Sequence, residues 1–103
     1  MATTINVSDF YETCATRERG RKFYSLLEPR ARAALAARDP LTVSFKRVEF
    51  VSASFLDETV VRLLEEHPEI REVLFLEHLQ PVASRRLDNV LMERGLPSLP
   101  VYA

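Results

Sequence analysis

Hydrophobic residues follow two different spacings along the chain, and together these spacings predict alternating strands and helices. Four short stretches are rich in β-branched and aromatic residues and either alternate with polar residues or are continuously apolar, which is typical of strands. They are residues 3–7, 41–45, 48–51 and 72–77. Elsewhere, apolar residues recur at the three- to four-residue spacing of an amphipathic helix, in residues 16–27, 54–66 and 81–94.

Proline and glycine refine the bounds of these helices. Pro29 is expected to end the first helix, so the Ala- and Arg-rich residues 29–38 are predicted to form a separate, short and half-exposed helix. Gly20 lies inside the first helix, where glycine costs about 1 kcal/mol relative to alanine, and its presence predicts close packing against a neighbouring element. Gly95 followed by Pro97 predicts the end of the last helix.

The alternation of strands and helices predicts one α/β domain over residues 1–103, with a small, mostly parallel central sheet flanked by helices. Residues 8–15 are predicted to be a connection, and the apolar tail 96–103 either docks as an extended edge or stays loose. The single Cys14 cannot form an internal disulfide, which favours a reducing, cytoplasmic location. The apolar runs are too short to cross a bilayer, so no membrane partner is expected.

The most informative segment is the polar elbow Ser52–Asp57, where the strand 48–51 gives way to a helix. A hydroxyl at the start of a helix is well placed beside an anion or a phosphoryl group. Ser54 and Asp57 fit the S-x-x-[DE] capping pattern, which predicts Ser54 as the N-cap of this helix. A role for Ser54 as a phosphoacceptor or contact residue is compatible with capping, and both interpretations stay open.

The other elbow residues indicate binding rather than catalysis. Phe55 is predicted to be exposed beside polar groups, where an aromatic ring would anchor a protein partner. Asp57 and Glu58 are adjacent carboxylates in the first turn of a helix, where they complement the helix dipole. Neighbouring helical side chains point in different directions, so this pair does not converge on one substrate atom. We therefore expect no enzymatic activity.

Few residues are suited to metal or cofactor chemistry. Cys14, His67 and His78 do not occur at paired metal-ligand spacing, and two glycines in the chain leave no phosphate-binding glycine loop. No metal and no cofactor are therefore expected.

The densest basic run extends from Arg17 to Lys22. Arg17 and Arg21 share one face of the predicted helix at i,i+4 spacing and form a candidate anion-binding pair. A solvated face is the simpler interpretation. A nucleic-acid surface is a weaker one, because no aromatic residues alternate with the basic ones.

The segment VEFVSASFLDETVVRLLEE resembles the strand–elbow–helix of the STAS-like bacterial domains of unknown function, whose elbow has the pattern V-x-F-x-S-x-S-F-x-D-E. Arg17 and Gly20-Arg21 match a second element of that family, T-R-x-x-G-R. The resemblance extends from about residue 16 to residue 94. This family is in turn similar to the STAS anti-sigma-factor antagonists, in which a serine at the start of a helix is phosphorylated by a GHKL-type kinase and the complex with that partner breaks.

The resemblance implies a STAS-like fold and a non-enzymatic protein-binding module of bacterial signalling. Its protein partner would be a GHKL-type kinase or an anti-sigma factor. Ser54 matches the phosphoacceptor, with Ser52 as its neighbour. Two positions depart from the STAS pattern, since Ser44 stands where an aspartate is common and Phe55 where glycine follows the phosphoacceptor.

The implied contact surface comprises Ser52, Ser54, Phe55, Asp57 and Glu58, extended by Lys46 and Arg47. Two other functions are alternatives to this one. The first is a nucleic-acid-associated regulator that uses the Arg17–Lys22 face. The second is a structural homo-oligomer in which the tail 96–103 is exchanged between chains or added to a neighbouring sheet.

Overall fold

A four-stranded sheet with only parallel pairs lies at the centre of the protein, as the computed structural model describes it over residues 2–103. The strands are β1 (Thr3–Asn6), β2 (Thr13–Cys14), β3 (Leu41–Ser44), β4 (Phe50–Val51), β5 (Leu74–Glu77) and β6 (Val101–Tyr102). The central sheet has the order β1-β3-β5-β6, and β2 pairs with β4 in a separate parallel ribbon. The predicted fold class, α/β with a mostly parallel sheet, is confirmed.

Over the described residues, four α-helices connect these strands. They are α1 (Arg17–Ala37), α2 (Ala53–Leu56), α3 (Arg62–Glu66) and α4 (Pro81–Glu93). A π-helical segment, Asp57–Val61, joins α2 to α3, so residues 53–66 form one continuous helix, close to the predicted 54–66. Short 3₁₀ turns cover Val7–Asp9 and Pro68–Glu72.

Each strand of the central sheet is followed by a helix that leads to the next strand in the same direction across the sheet. Right-handed crossovers in this order place the helices on one face. Burial agrees with this arrangement, because the row Ile5–Val43–Leu76 is buried. The next row, Thr4–Thr42–Phe75, points to the other face and is exposed or half-buried. The core therefore lies between the sheet and the helices.

Two predicted segments differ from the structure around β4. Of the predicted strand 48–51 only Phe50–Val51 forms a strand, and it pairs with β2 rather than with the central sheet. The reason is a turn at Arg47, where a left-handed backbone conformation (φ 68°) redirects the chain after β3. A hydrogen bond closes this turn, since Val48 N–H donates to the Phe45 carbonyl at 3.0 Å. The predicted connection 8–15 contains β2, the partner of this displaced strand.

Pro29 does not divide the first helix, so the predicted separate helix over residues 29–38 is wrong. Helix α1 runs through Pro29 without interruption. Leu27 before the proline and Ala31 and Ala34 after it are all buried on the same stripe. Burial of this stripe outweighs the cost of about 3 kcal/mol that a proline adds to a helix interior. Thr16 caps α1 as predicted, its hydroxyl accepting from Arg19 N–H at 3.1 Å.

The apolar tail docks on its own chain as an extended edge. Strand β6 adds to β5 in parallel, and His78 N–H donates to the Tyr102 carbonyl at 2.8 Å. Arg71 donates to the carbonyls of Pro97 and Ser98 at 2.6 and 3.1 Å. The tail is thereby joined to the sheet and to the turn before β5.

Gly20 lets α1 approach the helix of residues 53–66 closely, as its position in the sequence predicts. A Cβ atom at Gly20 would lie 2.9 Å from Glu58 Cβ and 3.2 Å from the Phe55 carbonyl oxygen. The second contact is with backbone, which cannot turn away as a side chain can.

We expect Gly20→Ala to lower the free energy of unfolding by about 1–2 kcal/mol, because overpacking exceeds the gain of about 1 kcal/mol in helix propensity. Urea unfolding followed by circular dichroism measures this change. Glu18→Ala, on the exposed side of the same helix, is the matched control and should have a small effect. A Gly20→Ala protein as stable as wild type would contradict the close approach.

Candidate functional site

The elbow begins where β4 ends, and its cap is Ser52 rather than Ser54. Ser52 has extended backbone angles (φ −82°, ψ 159°), and its hydroxyl accepts from Phe55 N–H at 3.1 Å. The predicted cap at Ser54 is therefore wrong. The cause is long-range, because Ser52 N–H donates to the Cys14 carbonyl at 2.8 Å and this bond holds Ser52 as the last extended residue.

Ser54 lies in the first turn of α2 and is half-buried. Its hydroxyl makes no hydrogen bond with any other residue in the range 2–103. It lines a surface depression of about 320 Å³, hereafter the Ser54 depression, whose wall includes Arg17, Asp57, Val90 and Arg94. The structure therefore brings three predicted site residues, Ser54, Asp57 and Arg17, together with one that was not predicted, Arg94.

Phe55 is not an exposed anchor, and that prediction is wrong. Its side chain is 0% exposed, and its ring centroid lies 5.9 Å from that of Phe23 and 6.4 Å from that of Tyr11. Phe55 and Leu56 are the first residues of the inward face of α2, and both are buried. Phe55 is a core residue and cannot contact a partner in this conformation.

Asp57 links three elements through one carboxylate oxygen. Its Oδ2 accepts from Arg17 Nη1 at 2.8 Å and from Arg94 Nη2 at 2.8 Å, joining α1 and the residue after α4 to the start of the π-helical segment. Its Oδ1 is buried and has no hydrogen-bond partner among residues 2–103. A buried carboxylate oxygen without a donor is unfavourable, so this oxygen is the least satisfied atom of the site.

Arg17 also donates to Glu58 Oε2 at 2.9 Å. The hydrogen bonds to Asp57 and then to Glu58 raise the pKa of Arg17 above its ordinary value, since both carboxylates favour the charged guanidinium. Asp57 and Glu58 thus act as ion-pair partners of α1.

The basic run Arg17–Lys22 does not form an open cationic face. Arg21 lies 3.8 Å from Glu58 Oε2, and Lys22 lies 3.4 Å from Glu18 Oε1. Arg19 donates to the Thr13 carbonyl at 2.6 Å and its guanidinium lies over the Tyr11 ring. Of the predicted anion-binding pair, Arg17 faces the Ser54 depression, whereas Arg21 is not among the residues that line it.

The π-helical segment starts at Asp57, and such wide turns frequently mark functional sites. Within it the buried Thr59 hydroxyl donates to the Phe55 carbonyl at 2.8 Å. Sequence reasoning missed Arg94, which reaches the site from the far end of α4. Nothing in the sequence relates Arg94, the residue after α4, to Asp57, which lies 37 residues earlier.

The remaining candidates lie elsewhere. Cys14 is buried, and burial raises the pKa of its thiol to about 12, so it stays protonated at neutral pH. His67 Nε2 lies 2.8 Å from Glu28 Oε2, while His78 follows β5 and is exposed.

Within residues 2–103, no group of three or more His, Cys, Asp or Glu side chains has the arrangement that could hold a metal ion. Over the same range, no helix combines the length and apolarity needed to cross a membrane.

Residues 19–82, more than half of the chain, match the family described as the STAS-like domain of unknown function. This protein belongs to that family. Comparison with curated proteins and with solved structures gives no match. The matched part of this STAS-like domain contains the whole elbow, whereas Arg17 and Arg94 lie outside it.

We expect a coupling energy of about 1 kcal/mol between Asp57 and Arg94, because the Asp57 side chain is only 11% exposed and its charge is poorly screened. A double-mutant cycle of Asp57→Asn and Arg94→Gln, measured by urea unfolding, gives this value. The Glu18–Lys22 pair, whose side chains are 72% and 68% exposed, is the control and should show a coupling of about 0.3 kcal/mol. Equal couplings for the two pairs would show that Asp57 does not hold Arg94.

Proposed function

We propose that this STAS-like domain is a non-enzymatic protein-binding module of bacterial signalling. Its partner is a GHKL-type kinase or an anti-sigma factor, and phosphorylation of Ser54 controls the contact. One observation carries the proposal. An unbonded serine hydroxyl lies in the same depression as two guanidinium groups, and those groups share a single carboxylate oxygen.

Phosphorylation would change the charge balance of this depression. A phosphoserine carries about −1.5 to −2 charges at neutral pH and three acceptor oxygens, whereas a carboxylate carries one charge. Phosphate therefore competes well for Arg17 and Arg94. Asp57 holds both guanidinium groups through one oxygen and a single charge, so the phosphate competes with it by its larger charge and its greater number of acceptors.

Transfer of Arg94 from Asp57 to a phosphate would break the contact that ties the end of α4 to the start of the π-helical segment. The rim of the depression would then change both shape and charge. A partner bound to the unmodified rim would be released, which is how a local charge change becomes a switch.

Ser54 is a better acceptor than Ser52. The Ser52 hydroxyl already accepts from Phe55 N–H and caps α2, and loss of such a cap costs about 1 kcal/mol. The Ser54 hydroxyl has no such bond within residues 2–103. The contact surface is therefore revised to Ser54, Arg17, Asp57, Glu58 and Arg94, without Phe55.

Incubation with Mg-ATP and a GHKL-type kinase should add one phosphoryl group to Ser54, measured by intact mass and peptide mapping. Ser54→Ala should abolish the addition. Ser52→Asn, which retains a capping side chain, should not affect it. Ser54→Glu should weaken binding to the same kinase in calorimetry, because it places a negative charge in the depression.

Direct incorporation of phosphoserine at position 54 tests the role of the two arginines without any kinase. The second pKa of this phosphate, about 6 in a free phosphoserine, should be lowered, and Arg94→Gln should raise it again, as followed by ³¹P NMR. Phosphoserine at position 52 is the control. A phosphate at Ser54 that titrates like free phosphoserine, or a kinase that modifies only Ser52, would refute the proposed switch.

A further inference from the structure

A second cavity, of about 240 Å³, opens where β3 and β5 end, and the Ser54 depression does not share any of its lining residues. Its apolar lining includes Val48 and Phe50, from β4 and the turn before it, and Leu79 and Val82, from the connection after β5 and the start of α4. In open parallel sheets, ligands bind in the crevice outside the carboxyl ends of the strands. We call this space the carboxyl-edge cavity.

Two large apolar side chains at this cavity are left in contact with solvent. Phe50 is 40% exposed and Val82 is 48% exposed. A ligand between them would cover both, and a cavity of this size holds a molecule of about ten non-hydrogen atoms rather than a nucleotide.

Arg86 is the one arginine or lysine that lines the carboxyl-edge cavity within residues 2–103. Its guanidinium carbon lies 5.0 Å from the centroid of the Phe50 ring, and its Nη1 donates to the Val51 carbonyl at a long 3.3 Å. It forms no ion pair with any carboxylate in the described range, in contrast to Arg17 and Arg94. Arg86 is therefore held in place while most of its five N–H donors stay available.

We infer that the carboxyl-edge cavity binds a small organic carboxylate with a flat apolar body. The body would lie between Phe50 and Val82, and the carboxylate would accept from Arg86. The apolar walls favour the body, and the unpaired guanidinium supplies the complementary charge. Glu49 also lines the cavity and is exposed, so its charge opposes an anion and orients the carboxylate toward Arg86.

Phenylacetate is the probe, titrated into the ¹⁵N-labelled full chain and followed by amide chemical shifts. Saturable shifts are expected at Phe50, Val51, Leu79, Val82 and Ala83. Phenylacetamide has the same shape without the charge, and acetate has the charge without the ring. Each should bind about tenfold more weakly than phenylacetate, because each lacks one of the two interactions.

Variants test whether binding depends on the guanidinium of Arg86 itself or only on the overall positive charge of α4. Arg86→Gln should weaken phenylacetate binding about tenfold, whereas Arg85→Gln removes the same charge from the preceding residue of α4, outside the cavity lining, and should leave binding unchanged. Glu49→Gln should strengthen binding. Val82→Glu should abolish phenylacetate binding. Val82 is exposed, so the fold should tolerate this substitution, and the variant tests the site even if Arg86→Gln perturbs the local packing.

The inference is overturned if phenylacetate produces no saturable shifts at the cavity residues. It is equally overturned if phenylacetamide binds as well as phenylacetate, or if Arg86→Gln and Arg85→Gln behave alike. These outcomes are independent of Ser54, so they leave the proposed switch unaffected.

Discussion

The close approach of α1 to the helix of residues 53–66 is the constraint on which the rest of this structure depends. Gly20 removes the side chain that would meet the Phe55 carbonyl, and the two helices pack at that point. Phe55 is thereby buried against Phe23, and Arg17, one turn before Gly20, reaches Asp57 and Glu58. One crossing thus builds both the core beneath the elbow and the ion-pair cluster above it, so a change that separates these helices would affect stability and site together.

Helix α4 relates the two candidate sites. Arg86 lies beside the carboxyl-edge cavity, and Arg94, eight residues later, lies beside the Ser54 depression. Val90, which lies between the two arginines in the sequence, is buried and also lines the Ser54 depression. Eight residues are about 2.2 helical turns, so Arg86 and the C-cap residue Arg94 leave α4 in directions that differ by roughly 80° about its axis. Strand β4 contributes Val51 to the first site, and the helix that follows it contributes Ser54 to the second, so both sites lie along the boundary between this strand–helix segment and α4.

The sequence supports the fold class well, because the helical and strand spacings are strong and the sheet is built from sequential parallel strands. It fails where a long-range contact decides the outcome. Ser52 and Ser54 are two residues apart and both suit a cap, and the choice depends on a backbone bond to Cys14 in a strand of two residues. Phe55 is likewise buried by long-range contacts, since its ring packs against those of Tyr11 and Phe23. Pro29 is tolerated because tertiary burial of Ala31 and Ala34 exceeds a local preference, and Arg94 joins the site through folding alone.

With Phe55 in the core, the surface around Ser54 consists mainly of charged and small polar groups. Binding to such a surface relies on electrostatic complementarity, which contributes to specificity and to the rate of association more than to affinity. Charges at a rim of this kind are exposed enough to be screened by salt, but the Asp57 carboxylate is not, because it is largely buried. A single negative group added at Ser54 therefore acts on the least screened charge of the surface. Under the proposed switch, a modest chemical change at this position would therefore alter which partners the surface accepts.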